Sequence, residues 1–319
     1  MEIDKPLISI LMAVYEPKIE WLREQLLSLN AQTYPHLQLY VRDDCSSAVS
    51  FEEIQSCVQD CISAFPVIIS RNEKNLGSNK TFERLTTEAV GEYFAYCDQD
   101  DVWLPEKLER LQTILSSEKA VLACSDVFVI GREGQVQAKS ITQVRPHHRF
   151  LSGNDLTDSL IYRNFVIGCT MLMDASVAKQ ACPFPETMVH DHFLAFYAST
   201  KGKVISDPEP LICYRIHGGN QTGVLAKIST KQDYYEKYIL LFCERINELS
   251  SRFQITELNR AQKWAQARKK NYKRERGGIW GLIKYRQVNL KTSCFEIVAL
   301  RIPNIFFTFL VKLIQKGKI

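Results

Sequence analysis

Apolar and polar positions follow two alternating periods through the first 130 residues. Residues 7–14 (LISILMAV) are apolar at almost every position, the pattern of a strand covered on both faces. Residues 18–32 then place Ile19, Leu22, Leu26 and Leu29 at helical spacing. The same exchange repeats: strand 37–41, helix 51–64, strand 66–70, helix 81–90, strand 93–97. Pro105, with Glu106 beside it, opens a further helix at the position proline favours, and residues 121–130 form the last strand of the series. Such alternation predicts an α/β fold with a mostly parallel sheet and helices on both faces. Ligands of such sheets bind beyond the carboxyl ends of the strands. Two acidic clusters fall at such ends: Asp43-Asp44 after the second strand, and Asp98-Gln99-Asp100-Asp101 after the fourth.

From residue 131 the rhythm breaks. A Gly-Arg-Glu-Gly turn, a basic loop (RPHHR, 145–149) and a Gly-Cys-Thr segment (168–170) precede His190-Asp191-His192. Residues 203–215 read as strand, the polar turn HGGNQTG occupies 217–223, and long amphipathic helical stretches follow. The predicted division is a domain over 1–223, with halves of about 1–130 and 131–223, and a helical extension over 224–319.

The 319 residues carry a formal net charge of +4, and that average hides a division. Residues 261–319 hold fourteen Lys and Arg against two Glu, whereas the first 260 residues hold 26 basic against 34 acidic side chains. An acidic body carries a basic tail. Ten cysteines are scattered without a CxxC pair, which does not resemble a disulfide framework. The amino-terminal run lacks a basic region before its short apolar stretch, so it reads as a buried strand, not a signal peptide. No apolar run reaches the roughly 18–20 residues that span a bilayer. These features together predict a reducing, cytoplasmic setting.

Three carboxylates in Asp98-Gln99-Asp100-Asp101 raise one another's pKa unless a cation or donors compensate. A hard divalent cation shared with substrate phosphates suits them; a helix cap made by Asp101 is the plainer account. Asp44 can accept hydrogen bonds from a nucleobase or ribose, or open a turn with Ser46 and Ser47. Tyr15 and Glu16 offer a stacking ring and an acceptor, or simply fill a loop; Lys80, ending the loop 75–80, is a candidate phosphate contact, with a plain helix entry as the simpler account. Asp191, at the start of an apolar stretch, is either a general base with a raised pKa or an N-cap flanked by surface histidines. Arg215 and His217, at i and i+2, share a strand face and together can meet phosphates and a cation.

The ordered set SILMAVYEP, a strand ending in DD, NxG, and DxDD before an apolar-Pro helix start resembles family 2 glycosyltransferases of the GT-A fold. The segment HDHFLAFYASTKGKVISDPEPLICYRIHGGNQTG resembles their bacterial rhamnosyltransferase-like branch. Together the motifs cover roughly residues 6–223. This resemblance implies an inverting hexosyltransferase that uses a UDP-, dTDP- or GDP-sugar with Mg²⁺ or Mn²⁺. It implies that Ala13, Tyr15 and Glu16 line the nucleotide pocket, that Asp44 pairs with the base, and that Asp98 approaches the ribose or metal. Asp100 would hold the metal with His217, Asp101 is a second acid of the same motif, and Asp191 matches the catalytic base. Asn164, Gly168, Cys169 and Thr170 are expected near the acceptor. His192 and Phe193 replace the aromatic pair usual after the base, and Glu16 stands where the family often has Asn.

The expected activity is transfer of rhamnose or another hexose to a saccharide or lipid-linked acceptor in bacterial surface polysaccharide synthesis. A nucleotidyltransferase, and an inactive nucleotide-sugar-binding or membrane scaffold protein, are the alternatives. The tail, from KWAQARKKNYKRER (263–276) through the apolar residues 297–314, suits a helix in an anionic membrane interface at the inner face of the cytoplasmic membrane. A nucleic-acid-binding tail and a solvated helix packed on the body are the other readings, and no nucleic-acid partner is expected.

Overall fold

The computed structural model describes residues 5–217, 225 and 228–315. The chain divides into two compact units, Met1–Gly218 and Gly219–Ile319. The expected boundary at 223/224 lies a few residues away, and the 218–223 part of the predicted polar turn lies outside the described residues.

The first unit opens with β1 (Ile8–Val14), α1 (Ile19–Asn30), β2 (Leu37–Asp43), α2 (Phe51–Cys61), β3 (Val67–Arg71), α3 (Ser78–Glu88) and β4 (Tyr93–Cys97). It continues through β5 (Val102–Trp103), α4 (Lys107–Glu118), β6 (Ala120–Ile130), β7 (Val136–Ala138), α5 (Ile141–Val144) and α6 (Thr157–Tyr162). A 3₁₀ turn (Gly168–Thr170), β8 (Met171–Asp174), α7 (Ala175–Ala181), α8 (His190–Ser199) and β9 (Lys203–Arg215) complete it. One sheet runs β3-β2-β1-β4-β8-β6-β9-β5, with β7 paired to β6. Its first four strands are parallel, as expected. β8, not anticipated from sequence, inserts antiparallel between β4 and β6, and β6 then pairs parallel with β9. At four residues, β8 is too short for a period to announce it.

Alternation along β1 explains the two layers. Ile8, Ile10, Met12 and Val14 join Leu22, Leu26 and Leu29 of α1, Ile54 and Val58 of α2, and Leu108, Leu111 and Leu115 of α4 in one buried cluster. The other face of β4 turns Phe94 and Tyr96 away from that cluster, and Tyr96 meets Phe82 of α3 at 5.7 Å between ring centroids. All ten cysteines are free, and Cys57 and Cys61 are buried at i,i+4 as apolar side chains.

The second unit is helical: α9 (Lys231–Tyr234), a π turn (Tyr235–Leu240), α10 (Leu241–Arg252), α11 (Thr256–Tyr272), α12 (Gly278–Lys284), α13 (Leu290–Ala299) and α14 (Asn304–Gln315). Thr230 and Asp233 form a capping box at the start of α9. Tyr234, Ile239, Leu300, Phe307 and Val311 share a buried cluster. The basic stretch of α11 is not a free tail helix: Trp264, Arg268 and Asn271 are buried. Arg268 donates twice to Glu296 Oε1, at 2.8 and 2.6 Å, and Tyr234 donates to the same oxygen at 2.9 Å. Among the described residues no helix is long and apolar enough to cross a membrane.

Candidate active site

The loops after β1, β2 and β4 meet at the carboxyl edge of the parallel strands. Gln99 ties two of them, accepting from Tyr15 N at 2.8 Å and donating to Tyr15 O at 3.0 Å. Tyr15 itself is exposed, and Ala13 is half-buried at the end of β1. Glu16 adopts a positive φ of 43° and accepts from Ser47 N, Ser47 Oγ and Ala48 N at 2.7–2.9 Å. The Ser47 amide, with the other donors, holds its carboxyl below the usual range. Glu16 therefore fastens the first loop to the second.

The two residues of the Asp43-Asp44 pair divide their work. Asp43 forms the turn, accepting from Ser46 N and Oγ, and pairs with Arg71 at 3.2 Å. Asp44 accepts from Asn72 Nδ2, Leu76 N and Gly77 N, each at 2.8 Å. A carboxylate has about four acceptor positions, so one remains, on Oδ2. Lys80 turns to Glu83, 3.2 Å away on the same helix, which places its charge on α3.

Asp98 and Asp101 of the third loop and Cys169 of the 3₁₀ turn bring their ligand atoms within 4.8 Å of one another, while Asp100 pairs separately with His217 at 2.7 Å. The expected trio Asp98, Asp100 and His217 is thus split across two adjoining groups. Burial, then the neighbouring charges of Asp101, Asp100 and Asp191, push Asp98 well above the carboxylate range. Burial and Asp100 raise Asp101 to about 7. Asp101 is no helix cap; it accepts from Arg215 N at 2.9 Å, and Glu106 precedes α4 instead. Buried Cys169 stays a neutral thiol because burial raises its pKa well above 9.0, which makes it a poor ligand for a hard cation. The carboxylate oxygens and the His217 nitrogen do fit Mg²⁺ or Mn²⁺, and a divalent charge would relieve the repulsion that raises Asp98.

Asp191 stands in the first turn of α8, after Val189 at the cap position. Burial raises its pKa to about 6, against hydrogen bonds from the His192 and Gly168 amides and the Asn164 side chain. The flanking histidines are not surface groups. His190 stacks on Phe82 at 4.1 Å and burial lowers its pKa to about 3; His192 is buried with Nε2 at 2.6 Å from Leu160 O. A Cβ at Gly168 would sit 3.0 Å from His190 Nε2 and 3.3 Å from Asp191 Cβ, so glycine is what lets the 3₁₀ turn approach the carboxylate. Of the residues expected near the acceptor, Asn164 and Gly168 bond Asp191, Thr170 is fully buried and donates to Ile167 O at 2.7 Å, and the Cys169 thiol lies against the carboxylates.

Two residues acquire roles the sequence did not suggest. Arg215, expected to meet phosphate, is buried and bonds Asp100 O at 2.8 Å, Arg132 O at 3.0 Å, Gly131 O at 3.3 Å and Glu24 Oε2 at 2.5 Å. It clamps the third loop, the β6–β7 turn and the end of β9 together. Lys107 is buried beneath the carboxylates, donates to Cys169 O at 2.7 Å, and burial lowers its pKa to about 7. Its signal was a lysine on the apolar stripe of Leu111 and Leu115, where i, i+4 and i+8 share a face.

A parallel-sheet edge whose loops carry clustered carboxylates, with a raised-pKa aspartate beside them, is the arrangement of a GT-A fold. Residues 9–180 match the family described as "Glycosyl transferase family 2", and the chain belongs to that family; it is a glycosyltransferase. It is 28% identical over 256 residues to an uncharacterized glycosyltransferase of Rickettsia typhi, covering 78% of this chain and 74% of that one. It is also 28% identical over 240 residues to the dTDP-rhamnosyl transferase RfbG of Shigella flexneri, covering 70% and 76%. The S. aureus TarS 1–349 structure in complex with UDP-GlcNAc superposes with a TM-score of 0.59 at 15% identity, over 98% of this chain and 92% of that one, a likeness of fold.

Proposed function

We propose that this chain is an inverting transferase that moves a hexose, with rhamnose first among candidates, from a nucleotide-diphosphate sugar to a hydroxyl of a saccharide or lipid-linked acceptor in bacterial surface polysaccharide synthesis. The observation that carries it is geometric: Gly168 of the 3₁₀ turn packs against Asp191 while the next residue, Cys169, has its sulfur within 4.8 Å of ligand atoms of Asp98 and Asp101, so the base and the carboxylates are neighbours. Similarity to RfbG of Shigella flexneri and to a putative teichuronic acid biosynthesis glycosyltransferase, TuaG of Bacillus subtilis, 24% identical over 171 residues (53% of this chain and 62% of that one), supports the donor and the pathway class.

In this reading Asp191 removes the proton from the attacking acceptor hydroxyl. Asn164 and the Gly168 amide orient it, and the nearby positive charge of Arg145 favours its ionised form. Tyr15 and the free acceptor position of Asp44 meet the base, with Ala13 and Glu16 shaping the pocket and Lys80 at its margin. A divalent cation held by Asp98, Asp100 and His217 would supply the charge that stabilises the departing nucleotide diphosphate. The test pairs binding with turnover. A thermal-shift screen of UDP-, dTDP- and GDP-sugars with Mn²⁺ is expected to show one selective stabilisation. Asp191→Asn is expected to keep that shift and lose transfer by roughly 10²–10⁴-fold. Full transfer by Asp191→Asn sinks the base assignment, and no shift with any donor sinks the donor reading.

A further inference from the structure

The last helix of the described chain is apolar on two opposite sides. Phe307 and Val311 of α14 are buried against Tyr234, Ile239 and Leu300. The outward side carries Ile305, Phe306 and Phe309, which are 75%, 61% and 63% exposed. A helix with two apolar sides needs a second apolar surface to cover the side its core leaves out, and this one has a core on one side only. We propose that the outer face of α14, with Trp280 of α12, seats this unit in the surface of a bilayer rich in anionic phospholipid, the cytoplasmic leaflet.

Charge selects lipid as the occupant. Residues 277–315 contain five basic side chains, Lys284, Arg286, Lys291, Arg301 and Lys312, and one carboxylate. That carboxylate, Glu296, is buried against Arg268, so the exposed side chains of this stretch bear positive charge alone. Lys312 follows Phe309 by three residues, near enough along the helix for its ammonium to reach headgroups while the ring inserts. Trp280 is 64% exposed with the Lys284 ammonium 4.9 Å from its ring, a pairing suited to the headgroup level. A second copy docked through the same face would bring like charges together. The twelve residues of α14 extend about 18 Å, short of a hydrocarbon core of about 30 Å, so the helix lies in the interface plane.

The experiment is cosedimentation of the full chain with phosphatidylcholine vesicles, with and without phosphatidylglycerol. Wild-type protein is expected to bind the phosphatidylglycerol vesicles, and less well in high salt. The double variant Phe306→Ser/Phe309→Ser is expected to bind at least tenfold more weakly while keeping its circular dichroism and any nucleotide-sugar thermal shift. Brominated lipid chains give a second readout on unaltered surface: they are expected to quench tryptophan emission in wild type but not in Trp280→Phe. Absence of wild-type binding, unchanged binding by the folded double variant, or a wild-type dimer that the same variant dissociates would each overturn the proposal. None of these outcomes touches the transferase reading.

Discussion

Asp191 shows how a single residue acquires chemistry from its surroundings. The His192 amide of α8 and the Gly168 amide of the 3₁₀ turn donate to it and lower its pKa, yet burial outweighs them and leaves it at about 6. A base of that pKa is ionised above it, so kcat/KM is expected to rise with pH through about 6 and then level, as measured over pH 5–8 at fixed donor. The linkage to stability has the opposite sense. A carboxyl raised from 3.8 to about 6 binds its proton more tightly in the folded chain, so this contribution is present below pH 4 and fades as pH rises through 6. Residues beside it were harder to read. The sequence displayed the HDH motif, but both histidines had surface roles as their plain alternative, and the fold instead buries one and stacks the other on Phe82.

Among the elements, the end of β9 matters most to the site. Arg215 closes it by bonding three backbone oxygens in two separate segments, and His217 then meets Asp100 two residues on. Replacing Arg215 by Met leaves buried carbonyls without a donor, at about 1–3 kcal/mol each where water does not enter. Arg215→Met is therefore expected to lower stability by about 3 kcal/mol in urea unfolding and to weaken Mn²⁺ binding, measured by titration of the folded fraction. Retained stability with normal Mn²⁺ affinity would show that the clamp is dispensable. The strands and helices around this element were legible because their periods are long and regular. β5, β7 and β8 have two to four residues each, and their pairing depends on which segments arrive beside them.

At the scale of the whole molecule, the two units stand on different kinds of core. The first is a sheet between helix layers; the second gathers helices partly around a buried ion pair. Glu296→Gln leaves Arg268 buried without a counter-charge and is expected to destabilise the second unit by about 3–5 kcal/mol. The joint change Arg268→Met/Glu296→Leu is expected to cost less than that, because no buried charge is then left alone. Urea unfolding followed by emission from buried Trp264 reads both, and an equal loss in the two variants would refute the account.

By itself the sequence determined the order of the elements, the carboxylates at the strand ends and the opposition of acidic body to basic tail, since periodicity and charge are local properties of a chain. The tertiary structure decided which of those charges are available. It turned Arg215 and Arg268 inward, set Lys107 under the carboxylates, used Glu16 and most of Asp44 to hold loops, and left Ile305, Phe306 and Phe309 outside. The reason is physical: burial and hydrogen-bond partners come from segments tens to hundreds of residues apart, and no window of sequence contains them.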